Sequence, residues 1–243
     1  MQSPKILIVI PAYNEVSTIA RLIQEIKKQH PQISTLVIND GSSDGTGQEA
    51  RRAGSLVVNH PYNLGIGGAV QTGFKVAARE NYDIVIQIDG DSQHDPVYLN
   101  DLLHPILTNQ SDFVIGSRFI GEHTGFQSTF GRRIGIRFFV FLLNILTGIR
   151  LTDPTSGFRA VNRKLICFFA EYYPIDYPEP EAIKMAKRFG ARIAEVPVKM
   201  RKRLGGISSI RYFKTIYYMI KVTFAILIDT LKQNPYKGAP HAR

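Results

Sequence analysis

The sequence predicts an α/β fold: a doubly wound, mostly parallel sheet. Three observations carry that prediction. Short apolar runs recur through the first half of the chain, segments with helix spacing separate them, and acidic or Gly-rich turns close them. Parallel strands need crossover connections, and the intervening helices supply them.

The elements follow in order. Residues 5–10 (K-I-L-I-V-I) form the first strand. Residues 17–28 carry Ile19, Leu22, Ile23 and Ile26 on one helical face. Strands at 35–38 and 56–58 come next, then a helix at 69–79 and a strand at 84–88. Asp95-Pro96 supplies a cap and a first-turn proline for a helix over 97–107, and 113–115 makes a fifth strand.

The second half has a different character. Residues 134–151 are largely apolar but carry Arg137, Asn144 and Arg150, and 210–231 are interrupted by Lys214, Lys221 and Asp229. A spanning helix needs about 20 nearly uncharged residues, whereas the longest uncharged runs are 215–220 and 222–228. Lys214 and Lys221 share one helix face, leaving Tyr212, Phe213, Tyr217, Tyr218, Met219 and Phe224 to form a broad apolar one. The pattern predicts C-terminal amphipathic helices at a membrane interface. A core helix with snorkelling lysines is the alternative. The domain reading is therefore one α/β domain over 1–205, including an interface helix at about 131–148, and a C-terminal amphipathic segment and tail over 206–243.

Composition narrows the function classes. At 243 residues, 44% hydrophobic and 21% charged, the chain is an ordinary globular protein. A single cysteine, Cys167, excludes a disulfide framework and a Cys-based zinc site. The start shows no basic region, apolar core and cleavage site before its first strand, so no signal peptide is expected. The net charge of +10 gathers at Arg132, Arg133 and Arg137, at Lys187, Arg188 and Arg192, and at Lys199, Arg201, Lys202 and Arg203. Such charge suits an anionic membrane face or a phosphate-bearing substrate. A nucleic-acid partner is not expected, because the basic residues flank apolar helices and no binding motif accompanies them.

The chemistry concentrates in I-D-G-D-S-Q-H-D, residues 88–95. Asp89 and Asp91 stand two apart at a strand end and point the same way while the pleat persists. Paired carboxylates repel unless a cation lies between them, and oxygen ligands favour Mg2+ or Mn2+ over zinc. Gln93 could add its amide oxygen. His94 is left outside the set, since a histidine in a turn is more often solvated or capping. Two other strand ends converge on the same crevice: Pro11-Ala12-Tyr13-Asn14-Glu15, and Asn39-Asp40-Gly41-Ser42-Ser43-Asp44-Gly45-Thr46. An acidic side chain there can accept hydrogen bonds from a base or ribose. The run Asn63-Leu64-Gly65-Ile66-Gly67-Gly68 lacks the dinucleotide fingerprint and the Walker lysine.

These stretches, with Gly116-Ser117-Arg118, Asp153-Pro154-Thr155-Ser156-Gly157-Phe158-Arg159 and Glu195-Val196-Pro197-Val198, resemble the family 2 inverting glycosyltransferases. The likeness is to the dolichyl-phosphate mannose synthase branch, the polyprenyl-phosphate glycosyltransferases. It implies a GT-A fold and a nucleotide-sugar donor, a UDP-sugar by analogy with bacterial relatives. By the same resemblance Pro11, Tyr13, Glu15, Asp40, Asp89, Gly90 and Arg203 hold the nucleotide sugar, and Asp89, Asp91 and Gln93 hold Mg2+ or Mn2+. Asp91, Arg118 and Arg132 are the implied catalytic set, with the arginines beside the donor and acceptor phosphates.

The implied setting is the cytoplasmic face of the cell membrane, peripheral or monotopic. A polyprenyl phosphate would be the acceptor, for cell-surface glycan assembly, and a small membrane protein or a second copy could be a partner. Two departures from the family pattern are Asn39, where relatives commonly have Asp, and Ser209, where they often have Lys. Two rival functions stand beside this one. A transferase acting on a sugar hydroxyl would need a carboxylate base, with Glu179 and Glu181 as candidates. A catalytically inactive membrane-associated binding protein is the other, and the intact Asp89/Asp91 pair argues against it.

Overall fold

The computed structural model describes residues 3–121, 140–141, 144–145, 148, 150–175 and 178–201. Arg132, Arg203, the C-terminal amphipathic segment and the boundary at 205/206 lie outside the described residues, as does most of the helix expected at 131–148.

Seven strands and six helices are laid out among the described residues, with further helical residues at 140–141 and 144–145. In chain order they are β1 (Ile6–Ala12), α1 (Ile19–Gln29), β2 (Ser34–Asn39), α2 (Thr46–Arg52), β3 (Leu56–Asn59), α3 (Gly65–Arg79) and β4 (Ile84–Gln87). A 3-10 turn, Pro96–Tyr98, leads into α4 (Leu99–Leu107). Then come β5 (Phe113–Ser117), β6 (Arg159–Asn162), α5 (Arg163–Glu171), α6 (Pro178–Arg188) and β7 (Ile193–Pro197). The sheet order is β3-β2-β1-β4-β6-β5-β7. Every neighbouring pair is parallel except those made by β6, which runs antiparallel to both β4 and β5.

The pleat of β1 shows why the sheet is covered twice. Leu7 and Val9 pack into one core with Val70 and Phe74 of α3, Phe169 of α5 and Ile183 of α6. Ile8 and Ile10 point the other way, into a core with Ile19, Leu22 and Ile26 of α1 and Leu99 and Leu102 of α4. A side chain fully buried in this way contributes about 1.5–3 kcal/mol relative to exposure. The continuous apolar run of β1 is the signature of a strand buried on both faces.

All five strands expected from the sequence form, with ends moved by one or two residues. The chain steps outward from β1 to β2 and β3, then crosses back to β4 on the other side of β1. That reversal makes the β1/β4 junction the topological switch point, where ligands bind in open α/β sheets. The Asp89/Asp91 turn leaves β4 there.

Two strands and three helices escaped the sequence reading. Strand β6 opens on the buried Arg159 and is four residues long, so its apolar signal is weak. In β7, Glu195 sits mid-strand.

Helix α3 approaches β1 through Gly73, where an added Cβ would lie 2.3 Å from Val9 Cγ1. Gly73→Ala is expected to destabilise the domain by about 1–3 kcal/mol through overpacking, measurable as a lowered denaturation midpoint with unchanged slope.

Candidate active site

The loop after β1 is built around Asn14, whose φ of 56° is left-handed. Its side-chain oxygen accepts the Ser43 N–H at 2.9 Å, and its own N–H donates to Ser42 Oγ at 3.0 Å. Asp44 continues the bracing by accepting the N–H groups of Val16 (3.2 Å) and Thr46 (2.9 Å) and the Thr46 hydroxyl. Burial alone would raise the Asp44 carboxyl, but these donors outweigh it and hold the group below its ordinary range. The loops after β1 and β2 are thereby one unit. Within it Pro11 and Glu15 are buried, while Tyr13 is half exposed.

Asp40 is buried, and its carboxylate organises a third loop. One oxygen accepts the Leu64 N–H at 2.9 Å and lies 2.7 Å from His60 Nδ1. The other accepts the Gly65 N–H at 2.9 Å. Three of the roughly four acceptor positions of a carboxylate are thus taken by protein donors. Asp40 shapes the entry to α3 as well as lining the crevice.

The β4 turn packs directly on β1. Gly90 N–H donates to Pro11 O at 3.3 Å, its carbonyl accepts the Thr18 hydroxyl at 2.8 Å, and a Cβ at Gly90 would lie 3.2 Å from the Ala12 Cβ. Asp91 Oδ1 accepts the Gln93 N–H at 3.0 Å, and Ser92 between them takes a left-handed φ of 60°. The Asp89 side chain is 38% exposed. Its carboxylate rests on the backbone of Gly157, where a Cβ would come within 2.8 Å of Oδ2. Only glycine permits that approach.

Of the two roles expected for His94, solvated or capping, the structure shows the capping one. The residue is 2% exposed, not solvated, and stacks on Phe158 with ring centroids 4.9 Å apart. Its Nδ1 accepts the Asp89 N–H at 3.0 Å, which assigns the proton of the neutral ring to Nε2, 3.7 Å from Asp89 Oδ2. The ring holds the start of the Asp89–Gln93 turn through the Nδ1 bond. A histidine three residues after an Asp-x-Asp gave no periodic signal of burial, because Phe158 arrives from a distant segment, just before β6.

Arg118 follows β5 and is held by Asp153 in a bidentate fork: Nε to Oδ2 at 2.6 Å and Nη2 to Oδ1 at 2.7 Å. Asp153 also accepts the Arg118 N–H at 3.1 Å and is fully buried. Behind it Glu195 accepts the N–H groups of Thr152 and Asp153, both at 2.8 Å. Burial raises the Glu195 carboxyl in spite of those donors. Arg159 completes the frame by donating to the carbonyls of Ser156 (2.6 Å), Glu179 (2.8 Å) and Pro154 (2.9 Å). This explains a buried arginine inside a strand: three of its N–H groups pin the irregular 154–156 segment against the start of α6. The Glu179 carboxyl is raised by burial, opposed by Arg159, and raised further by Asp89.

Asp89, Asp91 and Gln93 therefore occupy one turn at the switch point, and the β1 and β2 loops border it. Among the described residues no three of His, Cys, Asp and Glu gather as a closed metal cage. Two carboxylates and an amide carried on one turn are a donor set that fits Mg2+ or Mn2+, which take one or two carboxylates and complete their shell with water and substrate phosphates. The donor set does not fit a structural zinc.

Residues 7–169 match the family described as glycosyl transferase family 2. The undecaprenyl-phosphate mannosyltransferase of Micrococcus luteus is 29% identical over 82% of this chain and 84% of its own length. The UDP-N-acetylglucosamine–dolichyl-phosphate N-acetylglucosaminyltransferase of Methanococcus voltae is 26% identical over 94% of this chain and 100% of its own. The crystal structure of glucosyl-3-phosphoglycerate synthase from Mycobacterium tuberculosis with Mg2+ and UDP superposes with a TM-score of 0.69 at 25% identity, covering 94% of this chain and 79% of that one.

Asp153→Ala would leave the Arg118 guanidinium without its counter-charge and the Arg118 N–H without its acceptor. A loss of about 3–5 kcal/mol is expected for breaking such a pair, read by chemical denaturation.

Proposed function

The chain belongs to glycosyl transferase family 2 and is a glycosyltransferase, and from that premise we propose that it moves a sugar from a UDP-sugar to a polyprenyl phosphate, with inversion, at a membrane surface. The observation that carries the proposal is the Asp89–Gln93 turn at the switch point, with a donor set suited to a divalent cation and a diphosphate. Support for the acceptor comes from relatives whose names specify undecaprenyl and dolichyl phosphates. Support for the donor comes from a related fold that binds UDP with Mg2+.

In this reading Asp91 and Asp89 hold Mg2+ or Mn2+, with Gln93 beside them. The ion, when bound, offsets the negative charge that develops on the departing nucleoside diphosphate. The β1 and β2 loops hold the nucleotide through Pro11, Tyr13, Glu15 and Asp40, and Gly90 keeps the β4 turn close to them. Arg118 is fixed by Asp153 through Nε and Nη2, which among the described residues leaves Nη1 as its donor toward a phosphate. Arg132 and Arg203 supply further positive charge. The acceptor oxygen of a phosphate monoester is already anionic near neutral pH, so attack needs orientation and no strong general base.

Membrane attachment has its own support. No helix among the described residues is long and apolar enough to cross a membrane. Phe141 and Ile145 lie one helical turn apart and are each 62% exposed, and the net charge of +10 suits an anionic leaflet. We place the enzyme on the cytoplasmic face, where nucleotide sugars and the lipid phosphate meet.

One observation favours a second acceptor. The raised Glu179 carboxyl close to Asp89 is the kind of group that can take a proton from a sugar hydroxyl.

Incubation with a panel of nucleotide sugars and polyprenyl phosphate is expected to yield a mild-acid-labile glycolipid. Formation of only an acid-stable, hydroxyl-linked product overturns the phosphate acceptor. Asp91→Ala is expected to lower metal-dependent turnover at least about a hundredfold, the equivalent of several kcal/mol of charge stabilisation. Glu179→Gln separates the two acceptors: it should retain most turnover with the lipid phosphate, whereas a general base would be lost with it.

A further inference from the structure

Past β7 the chain returns to the β4 turn. Val198 N–H donates to Ser117 O at 2.9 Å, Met200 forms an antiparallel bridge with His94, and Arg201 N–H donates to Gln93 O at 2.8 Å. Residues 198–201 therefore lie as a strap along the segment that carries Gln93 and His94. The side chain of Arg201 fastens the strap at two points. Nη1 meets Glu25 Oε2 of α1 at 2.5 Å, and Nη2 meets Asp95 Oδ1 at 2.7 Å. That same Asp95 oxygen accepts the Val97 N–H at 3.1 Å, capping the turn into α4.

The arrangement has a direction. The Gln93 residue is gripped on both sides, its N–H by Asp91 Oδ1 and its C=O by the Arg201 N–H. The strap thus backs Gln93 and, through it, the Asp91 carboxylate, and the Arg201 fork fastens the end of the strap beyond its backbone bonds at Val198 and Met200. The guanidinium itself is spent on Glu25 and Asp95, so its influence on a cation in the crevice passes through geometry. Glu25 also accepts Arg21 Nε at 2.9 Å. Burial alone would raise the Glu25 carboxyl, but the two arginines hold it below the usual range, so this end of the fork stays charged.

We propose that Arg201 is a positioning residue for the divalent-cation and diphosphate site, fixing Asp91 and Gln93 by strapping residues 198–201 to α1 and to the Asp95 cap. The proposal rests on the assignment of Asp91 and Gln93 to the cation under the function proposed above. Residues that orient metal ligands from behind typically contribute tenfold or more to affinity.

The test is direct Mn2+ binding to the full chain with UDP present, read from the electron paramagnetic resonance of free Mn2+. It compares wild type, Arg201→Ala, Arg201→Lys and Glu25→Gln, each with its denaturation midpoint. Arg201→Ala is expected to weaken Mn2+ binding between about tenfold and a hundredfold, Arg201→Lys to recover part of the loss, and Glu25→Gln to fall between. Should Arg201→Ala fail to fold, the other two variants decide. Unchanged Mn2+ affinity in the folded variants overturns the role of Arg201, even where stability drops. Absence of Mn2+ binding by wild type overturns the cation assignment itself, a separate failure seen before any variant is compared.

Discussion

Backbone N–H groups that leave the ends of parallel strands have lost their ladder partners, and this chain gives many of them to carboxylates. Asp40 takes those of Leu64 and Gly65, Asp44 those of Val16 and Thr46, and Asp91 that of Gln93. Asp95 takes that of Val97, Asp153 that of Arg118, and Glu195 those of Thr152 and Asp153. A buried N–H without a partner costs as much as a lost hydrogen bond. Where the bond is at least partly buried, as at Asp40, Asp91, Asp153 and Glu195, the acid is structural before it is a chemical tool.

This constraint sorts acids that the sequence presents alike. Asp153 and Asp40 are buried and serve the backbone and two side-chain N–H donors, those of Arg118 and His60. Asp89 instead has an open carboxylate, backed by the Gly157 main chain and by His94 Nε2 at 3.7 Å. The difference in exposure separates the acids that build the site from the one most available to a ligand. The rigid surround also matters for the reaction proposed, since a phosphate nucleophile asks for orientation more than for proton transfer.

Long-range pairings decide the rest of the site. The Arg118 fork joins residues 35 apart, and the Arg201–Glu25 contact joins residues 176 apart. No local periodicity encodes either pairing. The same is true of β6: its register against β4 places Arg159 opposite Gln87, which aims a buried guanidinium at three carbonyls. A polar residue in a short strand reads as a loop until its acceptors are in view.

By itself the sequence determined the sheet class, five of the seven strands among the described residues, and the helices α1, α3 and α4, and it singled out the Asp89–Gln93 turn for its chemistry. These are local matters: apolar period, turn residues and paired charges are all read within a few positions. Only the tertiary structure decided that β6 enters antiparallel, that His94 is a buried prop, that Asp40 and Asp153 are occupied by protein donors, and that Arg201 closes the strap. Each of these depends on which distant group fills a donor or acceptor. Hydrogen-bond capacity is written in the sequence, but its allocation is settled only when the strands have been brought side by side.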